Sequence, residues 1–126
     1  MKINDAIAEV DALKINTYST EQKVKWLSRL DNRIYNEIIL THQYNDGEEE
    51  VTFNEYSAAD DLNTELLVGE PYAEMYVRWL EAQIDYANME YDAFNNCNSV
   101  FESIYSSFRN AYNQSHLPVT HRHNYF

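Results

Sequence analysis

The chain has 126 residues, which is enough for one domain with a single core. Twenty-one acidic residues against nine basic ones give a net charge of −12, and this charge argues against tight binding of nucleic-acid phosphates. With two glycines and two prolines, the composition excludes a many-turned β-fold and a phosphate-cradling loop, and it favours helices.

Two amphipathic helices are predicted in the first third of the chain. In residues 3–14 the apolar side chains fall on one narrow face, which predicts a short helix that docks on the bundle as a lid. The sequence Ser19-Thr20-Glu21-Gln22 fits a capping box, so a longer helix should begin there and continue to about His42. Asp31 falls inside the apolar arc of that helix and needs a partner, which could be a tyrosine, a cation or another helix end.

Residues 43–70 lack a helical period and are too long for an ordinary connection between bundle helices. Two short apolar runs within them could form a β-ribbon, which would be only marginally stable without a neighbouring surface. A second subunit could supply that surface. The candidate inter-subunit contacts are Val51, Phe53, Leu66, Leu67 and Val68.

The stretch from Pro71 to about residue 95 is predicted to be the central helix. At about 100° per residue its apolar side chains fill an arc of roughly 200°, so several helices must cover it. The arc contains Tyr72, Met75, Tyr76, Trp79, Leu80, Ile84, Tyr86, Ala87, Tyr91 and Phe94. Gln83 and Glu90 also fall inside it and could meet Asp31 in one buried polar layer. The opposite strip, either a solvated face or an acidic functional surface, carries Glu74, Glu81, Asp85 and Asp92.

A last helix is predicted over residues 99–114. The Asn-rich stretch 95–98 interrupts the preceding pattern, and residues 99–102 offer a second capping box. Residues 1–116 should therefore form a single helical domain, followed by a flexible tail over 117–126. The tail is either simply disordered or a docking peptide that orders on a partner. Its candidate docking residues are His121, Arg122, Tyr125 and Phe126.

The predicted fold class is mainly α: a small bundle of three to four helices with a long inter-helix segment at 43–70 that could form a short β-ribbon. Local signatures of phosphate loops, nucleophile elbows and clustered metal ligands are missing, so we predict no catalytic residue, no cofactor and no metal. An enzyme whose site is assembled across helices would leave no such signature. Cys97 is the single cysteine and is predicted to be an ordinary free thiol. No apolar run approaches the roughly 20 residues that cross a bilayer.

The order of segments resembles a known family. NTYSTEQKVKWLSRLDNRIYNEII is followed by TELLVGEPYAEMYVRWLEAQIDYANMEYDAFNN, a final helix and a short tail. This order resembles head–tail connector (adaptor, head-completion) proteins encoded near the portal and capsid genes of tailed bacteriophages and prophages. The resemblance implies a non-enzymatic subunit of a homo-oligomeric ring that docks on the portal and on downstream connector or tail proteins. It would be made in the bacterial cytoplasm and end in the virion, with the acidic strip facing the DNA passage.

Two functions other than that of a connector are compatible with the same sequence. An acidic inhibitor that mimics DNA and occupies a nucleic-acid enzyme would also carry a large negative charge, but its binding would fade with salt. A small hydrolase using Asp31 or Glu90 is the weaker alternative. Ring formation or portal binding would favour the connector over both.

Overall fold

The computed structural model describes residues 1–59 and 61–119 of the chain. It confirms a mainly α fold in which four helices form a small bundle. The α-helices are α1 (Ile3–Leu13), α2 (Thr20–Ile34), α3 (Glu74–Ala87) and α4 (Tyr91–Ser115). Five residues of π-helix, Tyr35–Ile39, extend α2. The helix predicted over 20–42 is thus one continuous element that ends near residue 39.

The start of α2 has the cap that its sequence indicates. The Ser19 hydroxyl accepts the backbone N–H of Gln22 at 3.1 Å, which satisfies one of the free donors of the first turn. At the other end the Leu40 N–H donates to the Tyr35 carbonyl at 2.9 Å and closes the π-helical turn. Ile38 and Ile39 are buried there, so the wider turn keeps the apolar face of α2 directed at the core.

The break between the last two helices lies earlier than the sequence predicts. The Met89 N–H donates to the Tyr86 carbonyl and the Glu90 N–H to the Asp85 carbonyl, the bonding pattern of a Schellman motif. Met89 occupies its left-handed position, with φ 59°. The predicted break at 95–98 is wrong because asparagine costs a helix only a few tenths of a kcal/mol, and the packing of α4 on α3 outweighs that cost.

The four helices alternate in direction around α3, which packs against the other three. The end of α1 lies beside the start of α2, where Lys23 reaches Asp11 at 2.7 Å. Tyr86 packs on Phe94 at the α3–α4 turn, and Tyr72 packs on Phe108 at the opposite end. We call the first of these the turn end of the bundle and the second the far end.

A contact between the two tryptophans joins three of the helices. The Trp79 indole N–H donates to the Trp26 carbonyl on α2 at 2.8 Å. The Trp79 ring lies 5.1 Å from the Phe101 ring on α4. These contacts place Trp79, on α3, at the point where α2 and α4 both meet the central helix.

The long connection between α2 and α3 begins and ends at the far end and packs against its own chain. Its Tyr56 N–H donates to the Ser28 hydroxyl on α2 at 3.0 Å. Leu66 and Val68 are only 5% and 2% exposed and belong to the core. The predicted β-ribbon is not formed within the described residues, where the isolated bridges pair Lys2 with Glu65 and His42 with Pro118.

The chain after α4 returns along residues 41–43. The Gln43 N–H donates to the Leu117 carbonyl at 2.7 Å, and the Val119 N–H donates to the Thr41 carbonyl at 2.8 Å. The first residues of the predicted tail are therefore hydrogen-bonded to the domain. The four candidate docking residues of the tail lie outside the described residues.

Candidate functional site

Asp31 is fully buried at the junction of α2, α3 and the long connection. Its Oδ1 accepts the Tyr76 hydroxyl at 2.6 Å, and its Oδ2 accepts the Tyr56 hydroxyl and the Leu67 N–H. Burial raises the pKa of Asp31, and these three hydrogen bonds only partly oppose the rise. Burial beside this carboxylate also raises the pKa of both tyrosines, so both remain proton donors. Because every partner is internal, the arrangement ties three parts of the chain together.

The buried polar layer proposed for Asp31, Gln83 and Glu90 is not formed. Gln83 is half-buried on α3, while Glu90 is exposed in the turn before α4. Because α3 ends at Ala87, Glu90 does not belong to the helix on which its buried position was predicted. The partners of Asp31 come instead from tyrosines on α3 and on the long connection.

The predicted acidic strip is not one exposed face. Asp85 is fully buried, with its Oδ1 2.6 Å from the Lys14 ammonium that follows α1. Glu81 is 7% exposed and pairs with Arg78 at 2.6 Å. The other two acids of the strip are exposed, one on α3 and one on α4: Glu74 and Asp92. The helical period predicted an exposed position for Asp85, and this prediction is wrong because α1 and the start of α4 cover the side of α3 that carries Asp85.

Cys97 lies beside the Asp85 carboxylate. Burial, together with this neighbouring acid, raises the pKa of the thiol to about 11. A thiol with that pKa is protonated at neutral pH and is a poor nucleophile. Partial burial alone would lower the pKa of Lys14, but the Asp85 carboxylate outweighs it and raises that pKa. Within residues 1–59 and 61–119, Asp85 Oδ2 has no hydrogen-bond partner.

Large apolar side chains remain exposed at both ends of the bundle. We call the first group the turn-end patch; it consists of Leu13, Ile15, Tyr86, Met89 and Tyr91. The second group, the far-end patch, consists of Leu40, Leu117 and Val119. The Tyr18 hydroxyl donates to Asn88 at 2.7 Å, which holds the α1–α2 connection against the α3–α4 turn, so both stretches of the turn-end patch lie at the same end of the bundle.

The turn-end patch is the feature that the sequence pattern hides. Tyr86 and Tyr91 fall inside the predicted apolar arc, yet they are 58% and 53% exposed. Met89 and Ile15 are 74% and 97% exposed. A helical period cannot reveal such a patch, because its members come from two separate stretches of chain, residues 13–15 and 86–91, which lie at the same end of the bundle.

An open hollow of about 560 Å³ lies between α2 and residues 55–59, and Asp31 and Glu90 do not line it. No group of histidine, cysteine and acidic residues within residues 1–59 and 61–119 could hold a metal ion. Among the described helices, none combines the length and the apolar character needed to span a bilayer.

Comparisons of the chain with protein-family models, with curated protein sequences and with solved structures give no match. Of the features described, the two apolar patches are the ones directed outward, whereas the Asp31 and Asp85 groups are directed inward. The patches are accordingly the candidate functional surfaces.

Proposed function

We propose that the chain is a non-enzymatic structural subunit of the head–tail connector of a tailed phage or prophage. Copies of it would join in a ring that docks on the portal and surrounds part of the DNA passage in the virion. The observation that carries the proposal is the presence of exposed apolar patches at both ends of one bundle. A subunit of a connector needs at least two such surfaces, because it must contact like neighbours and other proteins at the same time.

The composition of the turn-end patch supports a contact with protein. Tyrosine and methionine are enriched where proteins meet, since their side chains provide large contact areas. Met89 and Ile15 gain little from burial within their own chain at 74% and 97% exposure. Covering these side chains with a partner would remove that apolar surface from water, at about 25 cal/mol for each Å².

The net charge of −12 suits a passage along which DNA must move without being held. Because Glu81 and Asp85 are buried, the predicted strip leaves only Glu74 and Asp92 to face the DNA, and further acids would be needed. Exposed candidates occur in the long connection, at Asp46, Glu49 and Glu50. These acids would line the DNA passage.

The test is co-expression with the portal protein encoded by the same genome, followed by mass measurement and electron microscopy. We expect ring-shaped complexes that contain the chain and the portal. Met89→Asp should weaken them, because it places a charge in the turn-end patch. Val100→Asp is the matched control, since Val100 is also exposed, at 46%, but lies outside both patches.

Two results would contradict the proposal. One is a chain that stays monomeric at every concentration and does not associate with the portal. The other is displacement of DNA from a basic protein in a manner that fades with salt, which would indicate an inhibitor that mimics DNA.

A further inference from the structure

Acidic residues lie next to the apolar side chains of the turn-end patch. In the α3–α4 turn and the first residues of α4, exposed Met89 and Tyr91 alternate in sequence with exposed Glu90 and Asp92. Neither acid forms an ion pair within the part of the chain that the structure describes. A ligand that matches this surface would therefore carry aromatic or apolar side chains together with at least one cation.

Residues 120–126 of the chain, THRHNYF, have this chemistry. They contain no acid, and Arg122 lies between two histidines. Tyr125 and Phe126 follow within a few residues. On this acidic chain, a segment without acids that carries a cation and two adjacent aromatic residues is complementary to the turn-end patch in both charge and apolar character.

The length of α4 separates Val119, the residue before this segment, from the turn-end patch of the same chain. Val119 is hydrogen-bonded to Thr41, and the His42 ring packs 5.2 Å from the Tyr112 ring, so the segment begins level with Tyr112. At 1.5 Å per residue, the part of α4 between Tyr91 and Tyr112 is about 32 Å long. Seven residues span about 25 Å when fully extended. The extended backbone of this segment is therefore shorter than the distance to the turn-end patch of its own chain, which favours a patch on another copy.

We propose that residues 120–126 of one copy bind the turn-end patch of a second copy. Tyr125 and Phe126 pack against Met89 and Tyr91, and Arg122 lies beside the acids of the turn. This inference rests on the proposed connector function, in which the contact links neighbouring subunits. Because the two surfaces are different, the contact is head-to-tail, and it repeats around a ring if the rotation between copies closes.

The test uses the full chain and a fluorescent peptide of residues 120–126 with an amidated carboxyl end. We expect saturable binding, measured by anisotropy at low salt, with a dissociation constant below about 1 mM. Met89→Gly should weaken it about tenfold, because it removes the apolar side chain at a position whose left-handed backbone glycine tolerates. Val100→Ala is the control and should change the dissociation constant less than about twofold.

A charge exchange tests the orientation. Glu90→Lys together with Asp92→Lys should weaken binding of the original peptide. A peptide carrying Arg122→Glu should bind this double variant better than the original peptide does. Absence of binding at about 1 mM, or binding that Met89→Gly and the charge exchange leave unchanged, would overturn the inference. Portal binding separates the two proposals. If the contact between copies is wrong but the connector function is right, the original chain binds the portal, and a chain carrying Tyr125→Ala and Phe126→Ala binds it equally well.

Discussion

The Tyr76 hydroxyl donates to Asp31 Oδ1 at 2.6 Å and accepts the backbone N–H of Val68 at 2.8 Å. This one side chain on α3 therefore holds both α2 and the end of the long connection. Tyr56 donates to the other oxygen of the same carboxylate, but from a half-buried position. The pair of tyrosines explains how a connection without strands remains packed against the bundle.

Tyr76→Phe should lower the free energy of unfolding by about 2–3 kcal/mol, because it leaves the buried Val68 N–H and Asp31 Oδ1 without a partner. Tyr56→Phe should cost about 1 kcal/mol, since Oδ2 keeps its hydrogen bond from Leu67. Urea denaturation of both variants measures the difference. Equal losses for the two substitutions would contradict the central role given to Tyr76.

Asp11→Asn should reduce stability by about 1 kcal/mol near neutral pH, because it leaves the buried Lys23 ammonium without its partner, while the exposure of Asp11 limits the loss. Burial alone would raise the pKa of Asp11, but the Lys23 and Asn16 side chains lower it below 3.8. The stabilisation is therefore present above pH 3.8 and is lost as the pH falls through the lowered pKa.

Denaturant unfolding of the original chain and of Asp11→Asn across acidic pH measures this dependence. The two stability curves should converge on the acid side of pH 3.8. A difference that persists unchanged to the lowest pH at which both chains fold would mean that the loss comes from packing and not from the ion pair. Glu9→Gln, at an exposed position on the same helix, is the control and should have little effect.

Alkylation of Cys97 in the folded protein should follow a pH–rate profile with its midpoint at about 11, the pKa to which burial and Asp85 raise the thiol. At mildly alkaline pH its rate should be about a hundredfold below that of an ordinary thiol. The same chain unfolded in urea provides the control, with a midpoint at about 8.5. A native midpoint near the unfolded value would place the thiol in water and away from the acid.

Met89→Gly should raise the free energy of unfolding by about 0.5–1 kcal/mol. Met89 has φ 59°, a conformation that strains a residue with a β-carbon, and its exposed side chain provides little packing in return. Met89→Ala is the matched control, because it keeps the β-carbon and should bring no such gain. Thermal and urea unfolding both measure the effect, and a loss of stability with glycine would argue against strain at this position.

Helical periodicity predicted the fold class and the start of α2, because core positions and caps leave local patterns. The position of the α3–α4 turn was not predictable in this way. Its left-handed residue is Met89, where a glycine would have marked a helix end, and the Asn-rich stretch that suggested a break continues as helix. An error of a few residues in that turn moved Glu90 from a predicted core position to the surface.

The functional surfaces were harder to predict than the helices. The need of Asp31 for a partner follows from its position in an apolar arc. Which tyrosines donate to it depends on how α3 and the long connection pack against α2. Leu66 and Val68, expected to contact another subunit, find their apolar environment in the core of their own chain. Among the described residues, the exposed large apolar side chains other than Val100 lie at or beyond the ends of helices, where periodicity carries little information.

The hydrogen bond from the Trp79 indole to the Trp26 carbonyl also provides an internal optical probe. Both tryptophans of the chain lie at the meeting point of α2, α3 and α4, so their fluorescence spectrum should respond when any of these helices separates from the others. A red shift on denaturation would then report the loss of the whole helical core without any attached dye. Assembly that leaves the core intact should leave that emission wavelength in place.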